Sequence, residues 1–295
     1  MFYEARYLYS MNTICICGAG TMGSGIAQVS AAAGFKTVLY DLSSEMIKKA
    51  KIKIEKDLQA LVEKQKITSD KKENILRHIV FTNSINECIA DVVIEAVIEK
   101  PEVKISLFNQ LAAFNSEESI FATNTSSLSV SAIAKDVATP ERVAGLHFFN
   151  PAPVMKLVEV VKAEQTSDRV VSQLTELTKA FGKTPVVCKD APGFIVNRVA
   201  RPYYIESLRL IEEGIAGFET IDRLLESKGF KMGPFKLMDL IGNDVNYAVS
   251  CSVYEQLNKP ERLKPSYIQK EKVEKGELGK KTGKGYYAPC PPPAG

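Results

Sequence analysis

Thr13-Ile14-Cys15-Ile16-Cys17-Gly18-Ala19-Gly20-Thr21-Met22-Gly23 is the stretch that decides the fold. Thr13 to Cys17 is a β-prone run that breaks at Gly18, and Ser24 to Ala33 reads as a helix stopped by Gly34. A strand, a glycine turn and a helix in that order set a pyrophosphate on a helix N-terminus, where free N–H groups and the dipole favour anions. Gly18 permits the tight turn, Gly20 lets backbone approach the phosphates, and Gly23 lets helix and strand pack closely, with Thr21 and Met22 between them. Glycine-rich turns also occur by chance, so the flanks carry the weight. Phe35 to Tyr40 forms a second strand ending in Asp41, where an acid accepts hydrogen bonds from the hydroxyls of an unmodified adenine ribose. A 2′-phosphate there would place two anions in contact, so NAD is expected over NADP. Lys48 and Lys49, a turn further on, would soften that discrimination.

Working outward, strands and helices alternate. Ser43-Ser44-Glu45 caps a lysine-rich helix with apolar positions at Ile47, Ala50, Ile54, Leu58 and Leu61. A helix around Lys71 to His78 follows Thr68-Ser69-Asp70, putting His78 on its surface, and Phe81-Thr82-Asn83 begins a short strand. Asp91 to Val97 is a near-continuous apolar run, the pattern of a parallel strand covered on both faces, with Glu95 and Glu99 at its exit. A helix from Pro101 to Phe114, a strand at Ile120 to Thr123 and a helix at Val130 to Lys135 lead to a strand over Val143 to Phe149. Asp168 to Phe181 and Thr184 to Cys188 complete the pattern of an α/β, Rossmann-type doubly wound, mainly parallel sheet. Ligands of such sheets bind beyond the carboxyl ends of the strands, where the glycine turn, Asp41, Glu99, Ser126 and His147 all fall. From Asp190 onward the patterns are helical only, which gives a smaller all-α domain. The expected domains are 11–189 and 190–295, with 1–10 a disordered extension outside the motif. Pro202 should kink or break the first helix of the second domain. From Pro265 the chain is charged and glycine-rich, and Pro289 to Gly295 reads as a frayed tail.

The chemistry is expected at Gly145-Leu146-His147-Phe148-Phe149-Asn150-Pro151 and at Glu159, which follows His147 by twelve residues. The chain has only 2 histidines, and His147 ends an apolar strand just before a turn. Glu159 lies in a β-type run where an ionised carboxylate is costly to bury without a donor partner. His147 is the natural one, and a histidine held by a carboxylate is a general base with a fixed tautomer. On the residues alone, a core histidine beside an unrelated glutamate is an equal reading.

The 38 basic and 35 acidic residues are intermixed and give a net charge of +3, which offers no reason to expect nucleic acid or a membrane surface as partner. Glu4 and Arg6 interrupt the N-terminus before an apolar signal region, and no run of about eighteen apolar residues occurs, so a cytoplasmic location is expected. The 6 cysteines (15, 17, 88, 188, 251 and 290) form no C-x-x-C pair and are expected to be reduced packing residues with no metal site.

From about Met11 to Tyr287 the chain resembles the L-3-hydroxyacyl-CoA dehydrogenase family, and within it the bacterial 3-hydroxybutyryl-CoA dehydrogenases. The motifs are GAGTMGSGIA (18–27), NTSSL (124–128), HFFNPAPVMKLVEVV (147–161), PGFIVNR (192–198), MGPF (232–235) and GKKTGKGYY (279–287). The resemblance implies an NAD-dependent oxidoreductase acting on an acyl-CoA substrate. It implies that His147 is the catalytic base with Glu159 its partner, and that Ser126 and Asn197 contact substrate. It places Gly18, Gly20, Thr21, Met22, Gly23, Asp41, Glu99 and Lys104 on the cofactor, and it implies a homodimer through the C-terminal domain. Asn197 belongs to the second domain, which would set the site between domains. The lysine-rich helix aligns least well with the family, and Lys64 and Lys66 receive no role. The alternatives are a 3-hydroxyacid dehydrogenase acting on free acids, which would rely on a catalytic lysine, and a non-catalytic dinucleotide-binding relative.

Overall fold

The computed structural model describes residues 11–287, so the expectations for residues 1–10 and for the tail from Pro289 lie outside the described residues. The chain divides between Ala191 and Pro192 into two compact units.

The first unit is an eight-stranded sheet flanked by helices. Its elements are β1 (Thr13–Cys17), α1 (Thr21–Ala32), β2 (Lys36–Tyr40), α2 (Ser44–Glu63), α3 (Ser69–Arg77), β3 (Ile79–Thr82), β4 (Val92–Glu95), α4 (Pro101–Ala112), β5 (Ile120–Thr123), α5 (Val130–Lys135), β6 (Val143–Phe148), β7 (Leu157–Lys162), α6 (Asp168–Ala180) and β8 (Thr184–Lys189). The spatial order is β3-β2-β1-β4-β5-β6-β7-β8. Every neighbouring pair is parallel except β6 with β7. The strand order reverses at β1, whose neighbours β2 and β4 lead to opposite sides, and this opens a crevice at the strand exits. Central strands β1 and β4 are buried almost throughout, as an apolar run covered on both faces requires. Ile14 and Ile16 pack with Ile26, Ala27 and Leu39 in the main core.

The ends of elements follow their caps. Ser43 accepts from Met46 N–H to start α2, and Thr68 accepts from Lys71 N–H to start α3. The lysine-rich α2 buries only Ala50, Ile54 and Leu58, one stripe at helical spacing. Helix α1 begins at Thr21 rather than Ser24, because Thr21, Met22 and Gly23 of the glycine turn form its first turn. β3 begins at Ile79, two residues before the expected start. His78 is the half-buried C-cap of α3, one residue beyond its last helical turn.

Between β6 and β7 the register pairs Gly145 with Val161 and His147 with Glu159. The two strands approach closely at Gly145, where a Cβ would stand 2.7 Å from Val161 Cβ and 3.1 Å from Val130 Cγ2.

The second unit contains α7 (Val196–Glu212), α8 (Phe218–Ser227), α9 (Pro234–Ile241), α10 (Asn243–Gln256) and α11 (Tyr267–Glu274). The helix expected to be kinked or broken at Pro202 is not broken there. α7 runs on through it, with Arg201, Tyr204, Ile205 and Leu208 buried and the Arg201 guanidinium bonded to Asn246 O at 2.9 Å and Ser250 Oγ at 2.8 Å. α11 falls in the charged stretch after Pro265, which sequence periodicity leaves without structure. Two carboxylates organise this unit. Asp222, fully buried, accepts from the N–H groups of Phe235 and Lys236 at 2.9 and 3.0 Å and from the Tyr287 hydroxyl at 2.6 Å. Asp239 accepts from the N–H groups of Tyr286 and Tyr287. The MGPF and GKKTGKGYY motifs are therefore docked by one buried and one half-buried acid.

Gly145→Ala should cost about 1–3 kcal/mol, the range for overpacking a core, because Val161 opposite it is itself fixed in the ladder. Urea denaturation checks this, and an unchanged midpoint would mean that the β6–β7 approach is looser than described.

Candidate active site

The turn after β1 is shaped by two contacts. Gly18 adopts φ +105°, and a Cβ on it would stand 2.5 Å from Ala96 O at the exit of β4, while a Cβ on Gly23 would stand 1.7 Å from Gly18 O. Gly20 differs, since the position of its Cβ has no protein atom within 4 Å. The first turn of α1 carries no acidic residue, and its N-cap makes no side-chain hydrogen bond. Backbone donors at a helix N-terminus beside an open cradle at Gly20 fit a pyrophosphate, so the residues present suit a dinucleotide.

Asp41 directly follows β2, where its Oδ2 accepts from Ala19 N–H at 2.8 Å and its Oδ1 from Ser43 N–H at 2.9 Å. The first bond ties the acid to the glycine turn, and each oxygen keeps a second lone pair for a ribose hydroxyl. A cleft beside this strand end is lined by Ser44, Ile47, Lys48, Phe81, Thr82, Asn83 and Glu87. Lys48 thus lines the cleft, whereas Lys49 pairs with Glu45 at 2.6 Å.

A charged network occupies the exits of β4 and β5. Lys104 of α4, 1% exposed, donates to Glu95 Oε1 at 2.7 Å and stands 3.1 Å from Glu99 Oε2. Glu95 also accepts from Val97 N–H at 2.7 Å and from the Thr123 hydroxyl at 2.8 Å. Glu99 accepts from the Thr125 hydroxyl and, at 3.2 Å, from Ser126 N–H and the Ser127 hydroxyl. Burial raises the Glu95 carboxyl above its ordinary range despite Lys104. At Glu99 burial acts the same way, but Lys104, Thr125 and Ser126 outweigh it and hold the carboxyl below that range. Glu99, Lys104 and Ser126 are accordingly brought together.

His147 is next to last in β6 and Glu159 lies opposite it in β7, both buried at 5% and 0% exposure. His147 Nδ1 and Glu159 Oε2 are 2.7 Å apart, and the imidazole packs on Phe149 with ring centroids 4.5 Å apart. Asn124 Oδ1 accepts from Phe148 N–H at 2.8 Å, which pins the end of the histidine strand to the exit of β5. The chain then turns at Asn150-Pro151, a cis peptide bond. Asn197 stands in the first turn of α7 in the second unit.

Two residues escape the reading by motif. By sequence Glu95 is only an acid at a strand exit, and Asn124 only part of NTSSL. An acid inside a run covered on both faces is itself a signal, because a buried carboxylate needs donors.

Residues 13–191 match the family model of the 3-hydroxyacyl-CoA dehydrogenase NAD binding domain, and residues 193–289 match that of the 3-hydroxyacyl-CoA dehydrogenase C-terminal domain. The chain is 49% identical over 282 residues to a 3-hydroxyadipyl-CoA dehydrogenase of Escherichia coli, covering 95% of this chain but only 59% of that protein. It is 40% identical to the mitochondrial hydroxyacyl-coenzyme A dehydrogenase of Sus scrofa, covering 93% of this chain and 90% of the relative. The crystal structure of an (S)-3-hydroxybutyryl-CoA dehydrogenase from Ralstonia eutropha superposes with a TM-score of 0.91 at 36% identity, covering 95% of this chain and all of that one.

Lys104→Met should destabilise the protein by about 3–5 kcal/mol, because it strands Glu95 in the core. Adding Glu95→Gln should recover much of that loss in chemical denaturation, and a double variant no more stable than Lys104→Met would show that the pair is not coupled.

Proposed function

The chain belongs to the 3-hydroxyacyl-CoA dehydrogenase family, and from that premise we propose that it interconverts (S)-3-hydroxyacyl-CoA and 3-oxoacyl-CoA with NAD, with 3-hydroxybutyryl-CoA and acetoacetyl-CoA as substrates. The observation that carries this reading is the buried pair of His147 and Glu159 at a strand exit. Oxidising a secondary alcohol removes a hydride from carbon and a proton from oxygen. NAD, when bound, supplies the hydride acceptor.

The side chains handle the proton. Glu159 Oε2, 2.7 Å from His147 Nδ1, holds the tautomer with the proton on Nδ1, so that Nε2 is the atom that takes the proton of the C3 hydroxyl. The imidazolium formed is stabilised by a carboxylate in a poorly screened setting, where attraction is stronger than in water. In the reverse direction His147 donates that proton. Ser126 and Asn197 are assigned to the hydroxyl and the thioester carbonyl, because neutral groups hold an oxygen without competing for its proton. Gly18, Gly20, Thr21, Met22 and Gly23 are assigned to the pyrophosphate, Asp41 to the ribose, and Glu99 and Lys104 to the cofactor side of the crevice.

The name of the Escherichia coli relative supports a second reading, a 3-hydroxyacyl-CoA with a terminal carboxylate. Comparing kcat/KM for 3-hydroxybutyryl-CoA and 3-hydroxyadipyl-CoA decides between them.

No helix among the described residues is long and apolar enough to cross a membrane. The five described cysteines are free, and a cytoplasmic location is part of this proposal. Exposed Val199, Ile215, Leu224, Phe230 and Leu240 on the second unit support a homodimer through that unit. Light scattering of the full chain should then give twice the mass of one chain.

His147→Ala should lower acetoacetyl-CoA reduction by about a hundred- to ten-thousand-fold, the contribution of a positioned base, while NADH affinity holds. More than half the activity retained would refute the role. In the same assay NADH should be favoured over NADPH, and Asp41→Ala should diminish the preference; equal use of NADPH by the unaltered protein would count against the ribose assignment.

A further inference from the structure

We propose that Cys15, Cys17 and Cys88 form a binding site for a thiophilic divalent d10 cation, zinc or its probe cadmium. Cys15 and Cys17 sit two positions apart on β1, so their side chains leave the same face of the sheet, opposite to Ile14 and Ile16. Cys88 follows the short 3₁₀ turn Ile85–Glu87 that leads into β4, the hydrogen-bonded neighbour of β1. The fold thus gathers three thiols that are far apart in sequence. Each is 0% exposed, and the three sulfurs all lie within 4.8 Å of one another.

A buried cysteine is by default a small hydrophobe, and one or two here would need no other account. The spacing of three supplies one. With Cys15 Sγ and Cys17 Sγ 3.8 Å apart and no edge of the triangle above 4.8 Å, its centre lies about 2.2–2.6 Å from each sulfur, where a zinc–thiolate bond is about 2.3 Å. A disulfide within β1 is a poorer fit. Residues two apart on a strand have Cα atoms about 6.6 Å apart with parallel Cβ vectors, whereas a disulfide needs Cβ atoms about 3.5–4.5 Å apart.

Charge selects the cation. Three thiolates leave one net negative charge around a divalent ion and two around a monovalent one, and uncompensated buried charge is costly. Each S–H bond that breaks on binding sends its proton to solvent, its electron pair forming the bond to the metal. Three protein ligands leave the fourth position of a tetrahedral ion to water.

The site lies directly beneath the dinucleotide turn. Cys17 is the last residue before Gly18, and its carbonyl accepts from Ala96 N–H at 2.7 Å. An ion that draws Cys17 toward Cys88 should therefore weaken NADH binding, a consequence that rests on the dinucleotide reading of the turn, whereas metal binding itself does not.

The test titrates cadmium chloride into the reduced, metal-free full chain under anaerobic conditions, following thiolate-to-cadmium charge-transfer absorption, with stoichiometry from native mass spectrometry. One cadmium per chain is expected, competed by zinc only in excess. The band should persist when Cys188, Cys251 and Cys290 are all replaced by Ser, and binding should weaken at least tenfold in Cys88→Ser, whose fold is checked by circular dichroism. Absence of the band, or its survival at full strength in Cys88→Ser, overturns the site. NADH affinity should fall severalfold on cadmium binding in the unaltered chain but not in Cys88→Ser. Tight cadmium binding with unchanged NADH affinity overturns the coupling alone.

Discussion

His147 meets Glu159 because β7 runs antiparallel to β6 with these two residues directly opposite each other. Directly opposed positions on an antiparallel pair bring Cβ atoms to about 4.5–5.5 Å, a span that an imidazole and a carboxylate close with one hydrogen bond. A slip of one residue would send the glutamate to the other face of the sheet. Gly145, two positions before His147, lets the strands come together, and the bond from Phe148 N–H to Asn124 fixes where the strand ends. The antiparallel pair departs from an otherwise parallel sheet at the place where two side chains must face each other.

The other charged groups obey the same constraint in different ways. Glu95 and Lys104 sit together in the core, a pair whose mutual attraction offsets a desolvation cost that neither could bear alone. Its carboxylate also holds Val97 N–H beside the contact between Gly18 and Ala96, so the pair braces the turn as well as the exit of β4. Asp41 reaches the same turn from β2 through Ala19. Two acids at the ends of the strands that flank β1 thus brace one glycine turn, and neither is a surface charge that could be lost without consequence. In the second unit Asp222 and Asp239 do comparable work without chemistry, capping backbone N–H groups that would otherwise be buried unpaired.

Much of this was legible in the sequence because it rests on period and punctuation. The strand, glycine turn and helix at 13–33 and the covered run at 91–97 were readable from residue type and spacing, whereas the pairing of His147 with Glu159 was an even reading on the residues alone that the family resemblance decided. The failures have local causes. Thr21, Met22 and Gly23 read as turn although they are helical, because helix propensity penalises glycine while packing against Gly18 and Ile16 rewards it. α11 has the sequence YIQKEKVE, whose charges hide a helix that Ser266 caps. Pro202 was read inside its helix, and that the helix stays unbroken there depends on buried neighbours and the bonds of Arg201, which no local rule weighs. The thiol cluster could not be read at all, since Cys88 reaches β1 only through the sheet order.

The account stands on Glu159 setting the tautomer of His147. With His78 replaced by glutamine, ¹⁵N-labelled protein presents the single remaining imidazole, and the chemical shifts of its two ring nitrogens report which one carries the proton at neutral pH. The geometry predicts a protonated Nδ1 in the otherwise unaltered protein and loss of that preference in Glu159→Gln. A proton found on Nε2, or a tautomer indifferent to the replacement of Glu159, would contradict it.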